Sequence, residues 1–213
     1  MGPFSTLDWP GIRAHYDRRV VVHQQLIALH REGPSLAFAR LLIGLSDPIG
    51  NYSANQHGLG PRILASNPRA AERLHALADK FLALQSAHEV PTLIHAANLA
   101  YFKVGVGSEA SCMMNPNVCW VSNVRTIWTH LLIKHADQIK RANEELSYYR
   151  DDEADGEMIF KLWAAIHREM DTAMTRIAER AANLCRNAGI IPGPIKYLWA
   201  DAVADALYSA YAD

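Results

Sequence analysis

GEMIFKLWAAIHREMDTAMTRIAERAANLCRNAG, residues 156–189, decides the fold class. Its apolar residues Ile159, Trp163, Ile166, Met170, Met174, Ile177, Ala181 and Leu184 recur at intervals of three and four. That is the period of one helix face, not the alternation of a strand. Gly189 suits a helix stop. The acidic run Asp151 to Asp155 precedes the stretch, and negative charge at a helix N-terminus is favoured by about 0.3–1 kcal/mol per group.

The same pattern extends in both directions. Toward the C-terminus, Pro192 and Pro194 mark a turn, and a last helix over 195–211 turns Ile195, Leu198, Trp199 and Ala202 inward. Asp201 and Asp205 then lie one turn apart on its outer side. Toward the N-terminus, Asp137 is placed to cap a helix reaching Arg150. Trp120, Val124, Ile127, Trp128 and Leu131 form a buried stripe over 117–135. Asp8 caps a first helix over 10–31, which Gly33-Pro34 closes. A nearly all-apolar helix follows at 35–45. Asn67-Pro68 opens another, reaching Ala87, and Pro91 opens one that carries Ile94, Ala97, Tyr101 and Phe102.

These elements predict an all-α chain, a single-domain bundle-like array of about eight helices over residues 1–213. Two long irregular connections interrupt it. Residues 47–66 hold Pro48, Gly50, Asn51, Gly58, Gly60 and Pro61, residues that break helices. Residues 104–117 begin with Val104-Gly-Val-Gly107, after which Ser108 is placed to cap a short turn. Long irregular segments within compact domains are often functional.

Composition narrows the function classes. Half of the 213 residues are hydrophobic and 20% are charged, enough for a substantial core. A formal net charge of -1 gives no field that gathers nucleic acid or an anionic membrane, so both are disfavoured as partners. Three cysteines without a Cys-x-x-Cys suit free thiols in a reducing compartment, and the expected location is the cytoplasm. The N-terminus lacks a signal pattern, and Gly2, followed by Pro3, is a poor myristoylation site. The sequon Asn51-Tyr52-Ser53 matters only in a secreted protein.

The chemical motifs are weak. Asp151-x-Glu153-x-Asp155-Gly156 is similar to half of a calcium-binding loop, but its twelfth position is Leu162 instead of a glutamate. Glu72-x-x-His75 is the only Glu-x-x-His, whereas a symmetric di-iron bundle needs two. His95, His135 and His167 lie on or near apolar faces and are the residues that haem or a single ion would use. No metal site is assigned, and the cofactor is unknown. Arg125 and His130 fit the Arg-x4-His pattern of HEPN-type ribonucleases, a likeness confined to two residues. With 15 Arg and 10 His, chance alone supplies ~0.7 matches per spacing. A five-residue step also rotates the two by about 140° around a helix. Neither Cys112 nor Cys119 comes with a histidine that sequence can place beside it.

The expected function is therefore a cytosolic helical binding or assembly protein, acting on a protein partner or through self-association. The alternative is a small-molecule-binding protein or enzyme whose pocket is formed by 47–66 and 104–117. Its ligand-binding candidates are His57, Arg62, Lys103, Ser108, Glu109, Arg125 and His130. A ribonuclease using Arg125 and His130 is the minor alternative.

Overall fold

A computed structural model describes residues 2–48, 52–149 and 156–212. Asn51 of the sequon and the acidic run 151–155 lie outside the described residues. The described chain is all-helical. In order, its helices are α1 (Trp9–Glu32), α2 (Ser35–Leu42), α3 (Ser53–Gln56), α4 (Leu59–Ser66), α5 (Ala70–Ala83) and α6 (Val90–Ala97). There follow α7 (Val104–Met114), α8 (Val124–Lys134), α9 (Ile139–Leu146), α10 (Gly156–Glu169), α11 (Asp171–Asn187) and α12 (Lys196–Tyr211). No helix among the described residues is long and apolar enough to cross a membrane.

The chain divides into two compact units, one of Met1–Asp17 with Val124–Asp213 and one of Arg18–Asn123. In the first, α12 packs against both α8 and α11. Leu198, Trp199, Ala202, Val203 and Leu207 supply its buried face. Trp199 stacks on Trp9 at 6.5 Å between centroids and meets Tyr16 edge-on at 5.8 Å. In α8, buried Trp128 donates its indole N–H to Asn143 Oδ1 at 2.6 Å, so the ring is buried without an unsatisfied donor. In the second unit, α7 packs against α3, α5 and α6, and every one of its residues except Gly105 is buried.

Twelve α-helices among the described residues, not about eight, follow from three corrections, one of them the division of residues 156–189 into α10 and α11. Residues 47–66 are not an irregular connection, because α3 and α4 lie within them. Gly58 takes the left-handed conformation (φ 61°) at the N-cap of α4. Pro61 then falls in the first turn, where its missing N–H costs no intrahelical bond. Residues 104–114 are also helical. Being buried on all sides, α7 shows no apolar stripe for periodicity to detect. A Cβ on Gly107 would stand 2.4 Å from Ile94 Cδ1 and 3.1 Å from Phe102 Cε1, so glycine is there for close packing. Ser108 consequently caps nothing and sits mid-helix.

The remaining differences are local. The stretch 156–189 forms two helices meeting at Met170, although Met170 keeps near-helical angles (φ −75°, ψ −17°) and no proline or glycine stands there. Asn98 enters the left-handed region and ends α6 before Tyr101. Gln138 takes the N-cap of α9. Asp137 instead accepts two hydrogen bonds from Arg180, at 3.0 and 2.8 Å.

Candidate functional site

In the Arg18–Asn123 unit, the polar residues of α7 form a buried network. Glu109, 1% exposed, accepts the Ser53 backbone N–H (2.8 Å), the Ser53 hydroxyl (2.7 Å) and the Asn123 amide (2.7 Å). Its carboxylate thus ties the start of α3 and the segment between α7 and α8 to one point. Ser108 Oγ accepts the Ser122 N–H at 2.8 Å and donates to the Gly105 carbonyl. Beside them, the Arg19 guanidinium lies 4.7 Å from the ring centroid of buried Tyr52. Burial raises the Tyr52 phenol pKa against the opposing pull of Arg19, so the hydroxyl stays protonated. Cys119 is likewise pushed up, to about 12, by burial, against a hydrogen bond with Ser111, and is no thiolate at neutral pH.

The two segments singled out in sequence therefore do meet, through Ser53 and Glu109. They meet as packed helices joined by internal hydrogen bonds. The other candidates of this unit lie at its surface: His57 and Lys103 are exposed, and exposed Arg62 stacks its guanidinium 4.1 Å over the Tyr101 ring. His95 is exposed as well, which removes it from any core cluster.

Arg125 and His130 belong to the other unit, both on α8. Arg125 Nη1 donates to Asp205 Oδ1 at 2.6 Å in a largely buried ion pair. Asp201, expected to face outward, is buried. His130 is 7% exposed, and neither ring nitrogen has a hydrogen-bond partner. Its pKa falls to about 4, first through burial and then through Lys134 and His135, with Glu145 opposing. Nearby, Glu145 bonds Lys134 (2.5 Å) and His135 (2.7 Å). Burial raises the Glu145 pKa, but these two partners outweigh it and lower it overall. His167 is buried.

Two features escaped the sequence reading. In the Arg18–Asn123 unit, one ligand atom from each of His30, His75 and Asp79 lies within 4.8 Å of the others. The four-residue spacing of His75 and Asp79 on α5 was the available signal; the arrival of His30 from α1 had none. In the other unit, α11 and residues 191–194 enclose a groove. It is a shallow, open depression whose lining includes Ala178, Glu179, Ala182, Arg186, Ile191 and Lys196. No protein-family model matches the chain, and no curated protein or solved structure matches it either.

Proposed function

We propose that this chain is a binding protein that assembles with a second copy of itself through α11 and the loop 190–195. One observation carries the reading: Ile191 is 77% exposed on a loop hydrogen-bonded to α1 at Ile191 and at Ile195. Arg13 Nη1 donates to the Ile191 carbonyl at 2.6 Å, and Tyr16 Oη accepts the Ile195 N–H at 3.0 Å. A Cβ on Gly193 would come within 2.6 Å of the Tyr16 ring, so the loop lies flat against it. Pro192 and Pro194 restrict it further.

A loop ordered before contact loses little entropy on binding. Burying Ile191 contributes roughly 1.5–3 kcal/mol per copy. Ile191 lines a shallow groove together with Ala178 and Ala182, so two copies related by a two-fold axis can each set Ile191 against the other's groove. The charges of the lining support the same occupant, since Glu179 and the cations Arg186 and Lys196 can pair reciprocally across the axis. Sedimentation velocity over a concentration series tests this. The parent protein should form a dimer that Ile191→Asp abolishes with an unchanged helical circular dichroism spectrum. A monomer at all concentrations, or a dimer indifferent to the substitution, would defeat the proposal.

The ligand-binding or enzymatic reading is favoured by a different observation, the two buried nitrogens of His130 without hydrogen bonds. Buried polar atoms are normally satisfied, and a bound small molecule would satisfy these. A ribonuclease using Arg125 and His130 is one case of it. Native mass spectrometry separates the readings: a ligand retained by the parent and lost in His130→Leu supports this one, and the bare polypeptide mass counts against it.

A further inference from the structure

We propose that His30, His75 and Asp79 form a binding site for a divalent transition-metal ion of the zinc class, independent of the assembly surface. His75 and Asp79 stand one turn apart on α5, and His30 comes from the last turns of α1. Their ligand atoms are already within 4.8 Å of one another. Two imidazoles with one carboxylate are a donor set suited to zinc, cobalt and nickel more than to magnesium or calcium.

The orientation of each group supports the assignment. His75 Nε2 lies 2.9 Å from the His30 carbonyl, which can only accept, so Nε2 carries the proton and Nδ1 keeps its lone pair for an ion. A backbone carbonyl holding the second ring nitrogen is how metal-binding histidines are commonly oriented. His30 has a side chain only 10% exposed, and its Nε2 lies 3.1 Å from Asp79 Oδ1. Yet Nε2 has no hydrogen bond of acceptable direction. A nitrogen and an oxygen on one ion have this relation: close together, with the oxygen off the ring's N–H axis. Two ligands about 2.1 Å from an ion and near 100° apart are about 3.2 Å from each other.

Buried Phe38 braces both rings, at 5.2 Å from His30 and 5.3 Å from His75. The rings stack at 4.3 Å with 17° between planes, so their in-plane lone pairs lie in two nearly parallel planes. Convergence on one ion requires a tilt of His75 and a closing of about 1.5 Å. Asp79, 63% exposed, is free to follow. Three protein ligands leave a fourth position of a tetrahedral ion for water or another ligand.

The test uses the full chain, stripped with a chelator and titrated with cobalt(II) chloride, with zinc chloride as competitor. The expected result is a visible d–d absorption band saturating at one cobalt per chain and bleached by zinc. Asp79→Asn and His75→Ala should each weaken cobalt binding by at least about 10-fold. Asp79→Asn alters only an exposed side chain, so its loss of affinity cannot be put down to misfolding. No saturable band up to millimolar cobalt would overturn the site. So would a band unaffected by either variant, since that places the ion on other histidines.

Discussion

Replacing His130 with leucine should make the protein more tolerant of acid without harming it at neutral pH. In the folded chain the imidazole pKa drops from 6.5 to about 4, because burial penalises the charged ring and Lys134 and His135 repel it. Such a depression amounts to about 3 kcal/mol. Its sign follows from linkage. The unfolded chain takes up a proton below about pH 6.5 that the folded chain refuses, so the contribution is complete above that pH. It is lost at about 1.4 kcal/mol per pH unit on the way down to 4.

Urea unfolding of parent and variant at pH 7 and pH 5 measures the effect. The parent should lose about 2 kcal/mol more than His130→Leu over that interval. At pH 7 the variant should be unchanged or about 1 kcal/mol more stable, because two buried nitrogens without hydrogen bonds have been removed. Equal losses in the two proteins would refute the reasoning. Destabilisation beyond about 2 kcal/mol at pH 7 would do so as well, since it would mean the ring has a partner in solution.

Three further outcomes follow from the packing. Glu109→Gln puts an amide donor against the donors on Ser53 and Asn123 and should cost about 2 kcal/mol by denaturant unfolding; a cost under about 0.5 kcal/mol would remove the network from the account. Gly107→Ala should destabilise by about 1–3 kcal/mol despite alanine's better helix propensity. Adding Ile94→Val, which deletes the clashing Cδ1, should recover part of that loss, and strict additivity of the two would contradict the packing. Tyr16→Phe removes the acceptor for the Ile195 N–H and should weaken self-association about 10-fold while costing about 1 kcal/mol of stability. Unchanged association would show that the loop needs no such bracing.

What could be read from the chain depended on whether a helix shows water one of its faces. The α10–α11 stretch alternates buried and exposed residues with helical period, which is why its spacing predicts helix, whereas α12 is buried at every position from Tyr197 to Ala204. The helix α7 has no such period, and its two glycines looked like a break until Gly107 was seen against Ile94 and Phe102. Asp8 suits a helix cap by residue type alone, and its carboxylate accepts the Gly11 N–H at 3.2 Å. The candidate site was legible only in fragments. Glu109 was singled out as a pocket group, but its partners Ser53 and Asn123 lie 56 and 14 residues away, and no spacing rule connects them. His30 reaches α5 from 45 residues earlier in the chain. Ile191 was unremarkable as one residue among turn-forming prolines. Its exposure, and the clamps from Arg13 and Tyr16 across more than 170 residues, exist only in the folded chain.

In the proposed dimer, Ile191 of one copy occupies the Ala182 groove of the other. Site-directed disulfide trapping tests it most directly, using one protein that carries only Ala182→Cys and a second that carries only Ile191→Cys. The native Cys112, Cys119 and Cys185 are buried and serve as internal controls. Mixed under mild oxidation, the two proteins should yield a covalent heterodimer, reversible by thiol, in greater amount than either protein forms alone. The opposite result, a mixture with no more cross-linked species than the separate proteins while the parent sediments as a dimer, would place the interface elsewhere and contradict the account.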